Sequence, residues 1–236
     1  VFDLAAEEWT RFLAAHKNDP RADRAMHYLG VCQLKTNKPQ EAVATFQQVL
    51  KEYPKSEILA QTWRFLGIAQ YTAARAGKPE LFAAAAETLG TYLAKYPDSP
   101  DVPEAVFYRG ECFYAQGKKK EAAEAYATLL QKHPDHALAA DALYALGVTQ
   151  EELGQHEAAG KTYDAFLQRF PQSALATEVG MRRGETLFAA GQYAAAAKWF
   201  AAAATAKDFP LADHAAFRQA AAAAQLKQYA EAAALY

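Results

Sequence analysis

The chain has 236 residues, 52% of them hydrophobic and 22% charged, and its 25 Lys and Arg against 27 Asp and Glu leave a formal net charge of −2. That balance lacks the basic excess that offsets phosphate, so a nucleic-acid partner is not expected. No apolar run approaches the ~20 residues of a membrane-crossing helix, so direct membrane insertion is not expected either.

Residues 1–18 read as the second half of a repeat, with Ala5, Trp9 and Leu13 at the spacing seen again in Ala42, Phe46 and Leu50. From residue 21 onward the pattern returns about every 37 residues, a period that marks repeat architectures. A small residue stands at Gly30, Gly67, Gly110, Gly147, Gly184 and Ala220. An alanine follows at Ala42, Ala85, Ala122, Ala159, Ala196 and Ala232, and a large residue four positions later at Phe46, Leu89, Tyr126, Tyr163, Phe200 and Tyr236. Pro54, Pro97, Pro134 and Pro171 close four units, and the fifth has Asp208 with Pro210. Spacings of three and four without alternation predict amphipathic helices, and alanine-rich stretches such as 194–197 and 220–224 favour helix through low side-chain entropy.

Each unit therefore reads as two helices, giving an all-α chain of about 12 helices, since one helix per half unit is what the pattern supports. The full units are 21–54, 55–97, 100–134, 135–171 and 173–208, followed by an incomplete unit at 209–236, all in a single array over 1–236. Tyr53, Tyr96, His133 and Phe170 end second helices, because a residue before proline is pushed out of helical geometry. Asn37-Lys38-Pro39 and Ala76-Gly77-Lys78-Pro79 mark turns inside units, with the proline in the next helix's first turn. The small residue lets two helices approach, with Ala42 facing Gly30 and the large residue filling the space between units. Six extra residues between Tyr71 and Ala85 predict that both helices of the second unit are lengthened by part of a turn. Both ends fall within a unit, so the chain reads as a fragment of a longer protein, and a leader would precede Val1.

Reactive groups are sparse. Cys32 and Cys112 occupy equivalent positions two units apart, beyond the ~7 Å between α-carbons that a disulfide allows, and read as packed thiols. Lys118, Lys119 and Lys120 read as a solvated turn. His133-Pro134-Asp135-His136 brings two imidazoles to a turn without the rest of a metal shell. Glu151, Glu152 and Glu185 have no nucleophile, phosphate loop or metal motif beside them. No catalytic, cofactor or metal site is expected, and the chain reads as no enzyme.

The recurring small, aromatic and proline positions resemble the tetratricopeptide repeat family. That resemblance implies a right-handed superhelical solenoid whose first helices line a concave groove for a peptide or helix of another protein. Carried onto this sequence, the groove holds Arg64, Tyr71, Phe107, Glu111, Tyr114, Tyr144, Glu151, Met181, Glu185, Phe188 and Phe217. Its rings would meet apolar residues of the partner and its acids positive groups, although a helical aromatic stripe also suits rings that pack between units. The family's clamp for a terminal carboxylate is not carried over, because Ile68 stands where asparagine is wanted after Arg64. Tyr96-Pro-Asp-Ser-Pro100, Phe170-Pro-Gln-Ser173 and Gly191-Gln-Tyr193 resemble a bacterial envelope subtype, seen in the outer-membrane assembly lipoprotein and the periplasmic Tol-Pal coordinator. The implied role is a protein-binding scaffold, with a bacterial periplasm or envelope setting, or the cytoplasm as the alternative. A structural spacer or oligomerisation array, and a regulatory segment of a larger enzyme, are the competing readings.

Overall fold

The computed structural model describes residues 1–235, and over these it is entirely helical. Its thirteen α-helices are α1 (Phe2–Ala15), α2 (Ala22–Lys35), α3 (Pro39–Glu52), α4 (Leu59–Arg75), α5 (Leu81–Lys95), α6 (Val102–Ala115), α7 (Lys119–Lys132), α8 (Ala139–Glu152), α9 (His156–Arg169), α10 (Ala176–Ala189), α11 (Tyr193–Ala204), α12 (Ala212–Gln225) and α13 (Tyr229–Leu235). The count exceeds the expected 12 or so because the incomplete last unit still forms α13; Tyr236, its large residue, lies outside the described residues. The chain forms two compact units, Val1–Ala125 and Tyr126–Tyr236. Within each unit, every helix packs on the next in chain order, α1 through α6 in the first and α8 through α13 in the second.

The small residues act differently from expectation. A Cβ at Gly30 would fall 2.7 Å from the Phe46 ring, one at Gly67 2.6 Å from Leu89, and one at Gly184 2.8 Å from Phe200; one at Gly147 would enter the Tyr163 ring. The glycine is thus a socket for the large residue of its own unit's second helix, and not a seat for the alanine. Phe46, Leu89, Tyr163 and Phe200 are fully enclosed, each burial contributing roughly 1.5–3 kcal/mol. Ala42 instead clusters with Phe46, Leu66 and Ala69, where its small size admits the following unit's first helix.

Turns between units follow one geometry. Tyr53, Tyr96 and Phe170 leave the helix at ψ of 57°, 56° and 51°, each before a proline. His16 adopts φ −131° and ψ 52° with Lys17 after it, so proline reinforces a turn that stacking also sets. Turns inside units are Schellman closures: Lys38 N–H donates to Gln33 C=O at 2.8 Å and Asn37 N–H to Leu34 C=O at 3.2 Å. Asn37, Gly77, Gly117, Gly154, Gly191 and Lys227 take the positive φ this closure needs. In the second unit, α4 has 17 residues and α5 has 15 where α2 and α3 have 14, so the insertion lengthens both helices and the turn between them.

Candidate functional site

In Val1–Ala125 the expected groove residues lie on α4 and α6. Arg64 is largely enclosed: its guanidinium lies 4.4 Å over the Phe65 ring, its Nε is 3.3 Å from the Asp101 carboxylate, and Nη1 bonds Glu104. Beside it His27 is buried, with Nδ1 2.9 Å from Thr62 Oγ1. The Thr62 hydroxyl donates to Ile58 C=O, which leaves its oxygen to accept from His27 Nδ1–H. Burial, aided by the Arg64 charge, pushes the imidazole down to about 4, so His27 is neutral at pH 7. The Tyr71 hydroxyl donates to Glu111 at 3.2 Å, and burial followed by the Glu111 charge pushes this phenol up to about 12. Tyr71 is 8% exposed, packed against Tyr108 and Phe82, and gives a partner almost no surface. Phe107, edge-on to Tyr108, and Glu111 and Tyr114 are half-buried.

In Tyr126–Tyr236 two arginines organise the remaining positions. Arg182 on α10 reaches back to Glu151 on α8 at 3.3 Å, bonds Glu178 at 3.2 Å, and lies 5.6 Å over the Tyr144 ring. Tyr144 and Tyr163 hydroxyls donate to Glu178 and Glu151. Burial first, then these carboxylates, push both phenols up. Burial alone would lower Arg182, but Tyr144, Tyr163 and Glu151 hold it raised. Arg218 on α12 grips Glu185 on α10 through two bonds of 2.6 and 2.5 Å, and its guanidinium lies 4.2 Å over Phe188. Phe188 is half-buried and Phe217 is 51% exposed.

Two differences from the sequence reading follow. Met181 is buried in the cluster of Leu187, Phe200 and Ala203, because its position faces the second helix of its own unit and the helix that begins the next, and not the open face. The acids Glu151 and Glu185 are already engaged by arginines, Arg182 being shared with Glu178, so two guanidiniums offset most of the negative charge of three carboxylates on a face expected to be acidic. Arg182 and Arg218 escaped the reading although each stands two residues before a unit's small residue. Their signal is an opposite charge 31 or 33 positions earlier, close to one repeat back.

Among the other groups considered, Cys32 and Cys112 are buried free thiols, and burial pushes Cys112 up to about 12, away from the reactive thiolate. His136 Nδ1 accepts Leu138 N–H at 3.2 Å, as Ser56, Ser99 and Ser173 hydroxyls accept from Ile58, Asp101 and Leu175 in the equivalent turns. Its role is that of a turn serine. Among the described residues no group of three or more His, Cys, Asp or Glu is placed to hold a metal, and no helix is long and apolar enough to cross a membrane.

Family models described as tetratricopeptide repeat match residues 24–56, 73–137 and 121–174, together more than half of the chain. No curated protein matches significantly. Among solved structures, the apo form of RapI superposes with a TM-score of 0.76 at 10% identity, covering 99% of this chain and 74% of that one. A tetratricopeptide repeat protein of Parabacteroides merdae gives 0.67 at 17% identity, covering 90% and 77%. PilF of Pseudomonas aeruginosa gives 0.62 at 16% identity, covering 91% and 89%. At these identities the likeness is one of fold.

Proposed function

The chain belongs to the tetratricopeptide repeat family, whose repeats generally mediate contacts between proteins, and on that premise we propose that it is a non-catalytic scaffold that captures an apolar peptide or helix of a partner protein. The observation that carries this reading is Phe217, a large ring 51% exposed on α12, next to Arg218, whose guanidinium lies over Phe188 of α10. Aromatic and arginine side chains dominate binding energy at protein interfaces, and here the arginine is held in place before any partner arrives. Because Arg182 and Arg218 offset most of the charge of Glu151, Glu178 and Glu185, the partner segment is mainly apolar and needs few positive charges. Phrases such as Tyr96-Pro-Asp-Ser-Pro100 support a setting in a bacterial envelope, which fractionation of the source cells tests.

Panning a random peptide library on the immobilised protein should enrich sequences rich in Leu, Phe and Trp. Phe217→Ala should weaken the selected peptides by more than tenfold, the ~2 kcal/mol of an anchor ring, with an unchanged circular dichroism spectrum. Enrichment that is indifferent to Phe217, or no enrichment at all, would refute the scaffold reading.

A further inference from the structure

The turns inside the repeats of Val1–Ala125 share one edge. Arg64 reaches Glu104 and Tyr71 reaches Glu111, the same step along both helices, so α4 and α6 run parallel; His27 and Thr62 join α2 to α4. Gln116 Nε2 donates to Phe82 C=O at 3.3 Å, tying the end of α6 to the start of α5. The turns at 36–38, 76–80 and 116–118 are therefore neighbours, spaced roughly 10 Å apart by helix packing.

This edge is crowded with cations. Lys35, Lys38, Arg75, Lys78, Lys118 and Lys120 are all exposed, against the carboxylates Glu41, Glu80 and Glu121 and, lining one pocket with Lys38, Asp3 and Glu7 of α1 beside Arg11. Lys35 and Arg75 close helices, where a positive charge complements the dipole. Helix stability does not account for the rest. Lys38 is the N-cap of α3 and makes no capping bond, at a position where Ser, Thr, Asp or Asn would stabilise. Lys120 lies in the first turn of α7, where positive charge opposes the dipole. At the positions of Lys38, Lys78 and Lys118 the matching turns of Tyr126–Tyr236 carry the uncharged Gln155, Gln192 and Gln228, which serve the same backbone closure, and the cation in those turns is Lys227.

We propose that this lysine edge rests on an anionic phospholipid surface. Cations on flexible stems at three separate turn tips meet many shallow negative charges better than one pocketed ligand. Clusters of four to eight Lys and Arg are the size that anionic membranes attract. No aromatic residue stands within the three turns to stack a nucleic-acid base. A Debye length of about 8 Å at physiological salt lets the edge act despite the chain's net charge of −2.

The test is co-sedimentation with vesicles of phosphatidylcholine alone or with about one third phosphatidylglycerol, at low salt. Partition should favour the anionic vesicles by more than tenfold and vanish near 0.5 M salt. It should fall about fivefold for each lysine neutralised in the pairs Lys38→Gln with Lys78→Gln and Lys118→Gln with Lys120→Gln. Lys198→Gln with Lys207→Gln, the same charge change on the second unit, should leave it unaltered. Equal partition to both vesicles, or equal losses in all three pairs, overturns the proposal. So does capture of polyglutamate or single-stranded RNA without vesicle binding, which would assign the edge to that polymer.

Discussion

His27 shows how a single buried side chain makes stability depend on pH. Tyr28, Phe46 and Phe65 surround the imidazole with centroids 5.5 to 5.6 Å away, Thr62 supplies one hydrogen bond, and Arg64 supplies the nearby charge. The folded value of about 4 lies below the ~6.5 of an unfolded histidine. Above pH 6.5 both states are neutral and His27 adds no pH dependence. As pH falls from 6.5 to 4 the unfolded chain takes up a proton that the folded one refuses, so stability declines, in total by on the order of 3 kcal/mol, and levels off below 4. His27→Phe should flatten that part of the profile. Urea midpoints measured from pH 7 to pH 4 decide it: equal slopes in both proteins would mean that His27 titrates normally in the fold.

Turns were the elements most readable from sequence, and their residues carry a clear energetic signature. The closure inside each unit needs one residue at positive φ, which Gly117, Gly154 and Gly191 adopt near 73° without penalty. Lys227 adopts 62° in the last unit, where a side chain costs about 1–2 kcal/mol. Lys227→Gly should therefore stabilise the α12 and α13 pair by about 1 kcal/mol, and Gly154→Ala should cost about as much at its own turn. Thermal melts of the two variants should shift in opposite directions; shifts of one sign would show that the backbone angle is not what these positions select. The prolines were legible for the same reason, since their effect on the preceding residue is local. Partners across helices were not. Thr45 donates to Gln33 and Thr162 to Gln150, both at 2.7 Å and twelve residues apart, a pairing hidden because neither residue type breaks the hydrophobic pattern.

At the scale of the whole molecule, period and phase were written in the chain because each unit solves the same packing problem. The directions of side chains were not, since burial of Tyr71 and Met181 and the capture of Glu185 by Arg218 depend on the neighbouring unit's particular residues. That dependence is short in range. The cluster around Phe46 draws on residues 31–69 and the cluster around Phe200 on residues 181–222, so each joins only adjoining repeats. Stability in such an array is a sum of repeat and nearest-neighbour terms, and damage should stay where it is made. Gly184→Ala drives a methyl group into the enclosed Phe200 ring, an overpacking worth about 1–3 kcal/mol. Hydrogen exchange should then quicken about five- to more than a hundredfold in α10 to α12 while α2 to α4 keep their protection, and Gly30→Ala should do the reverse. Uniform acceleration along the chain in either variant would show instead that the repeats unfold as one cooperative body.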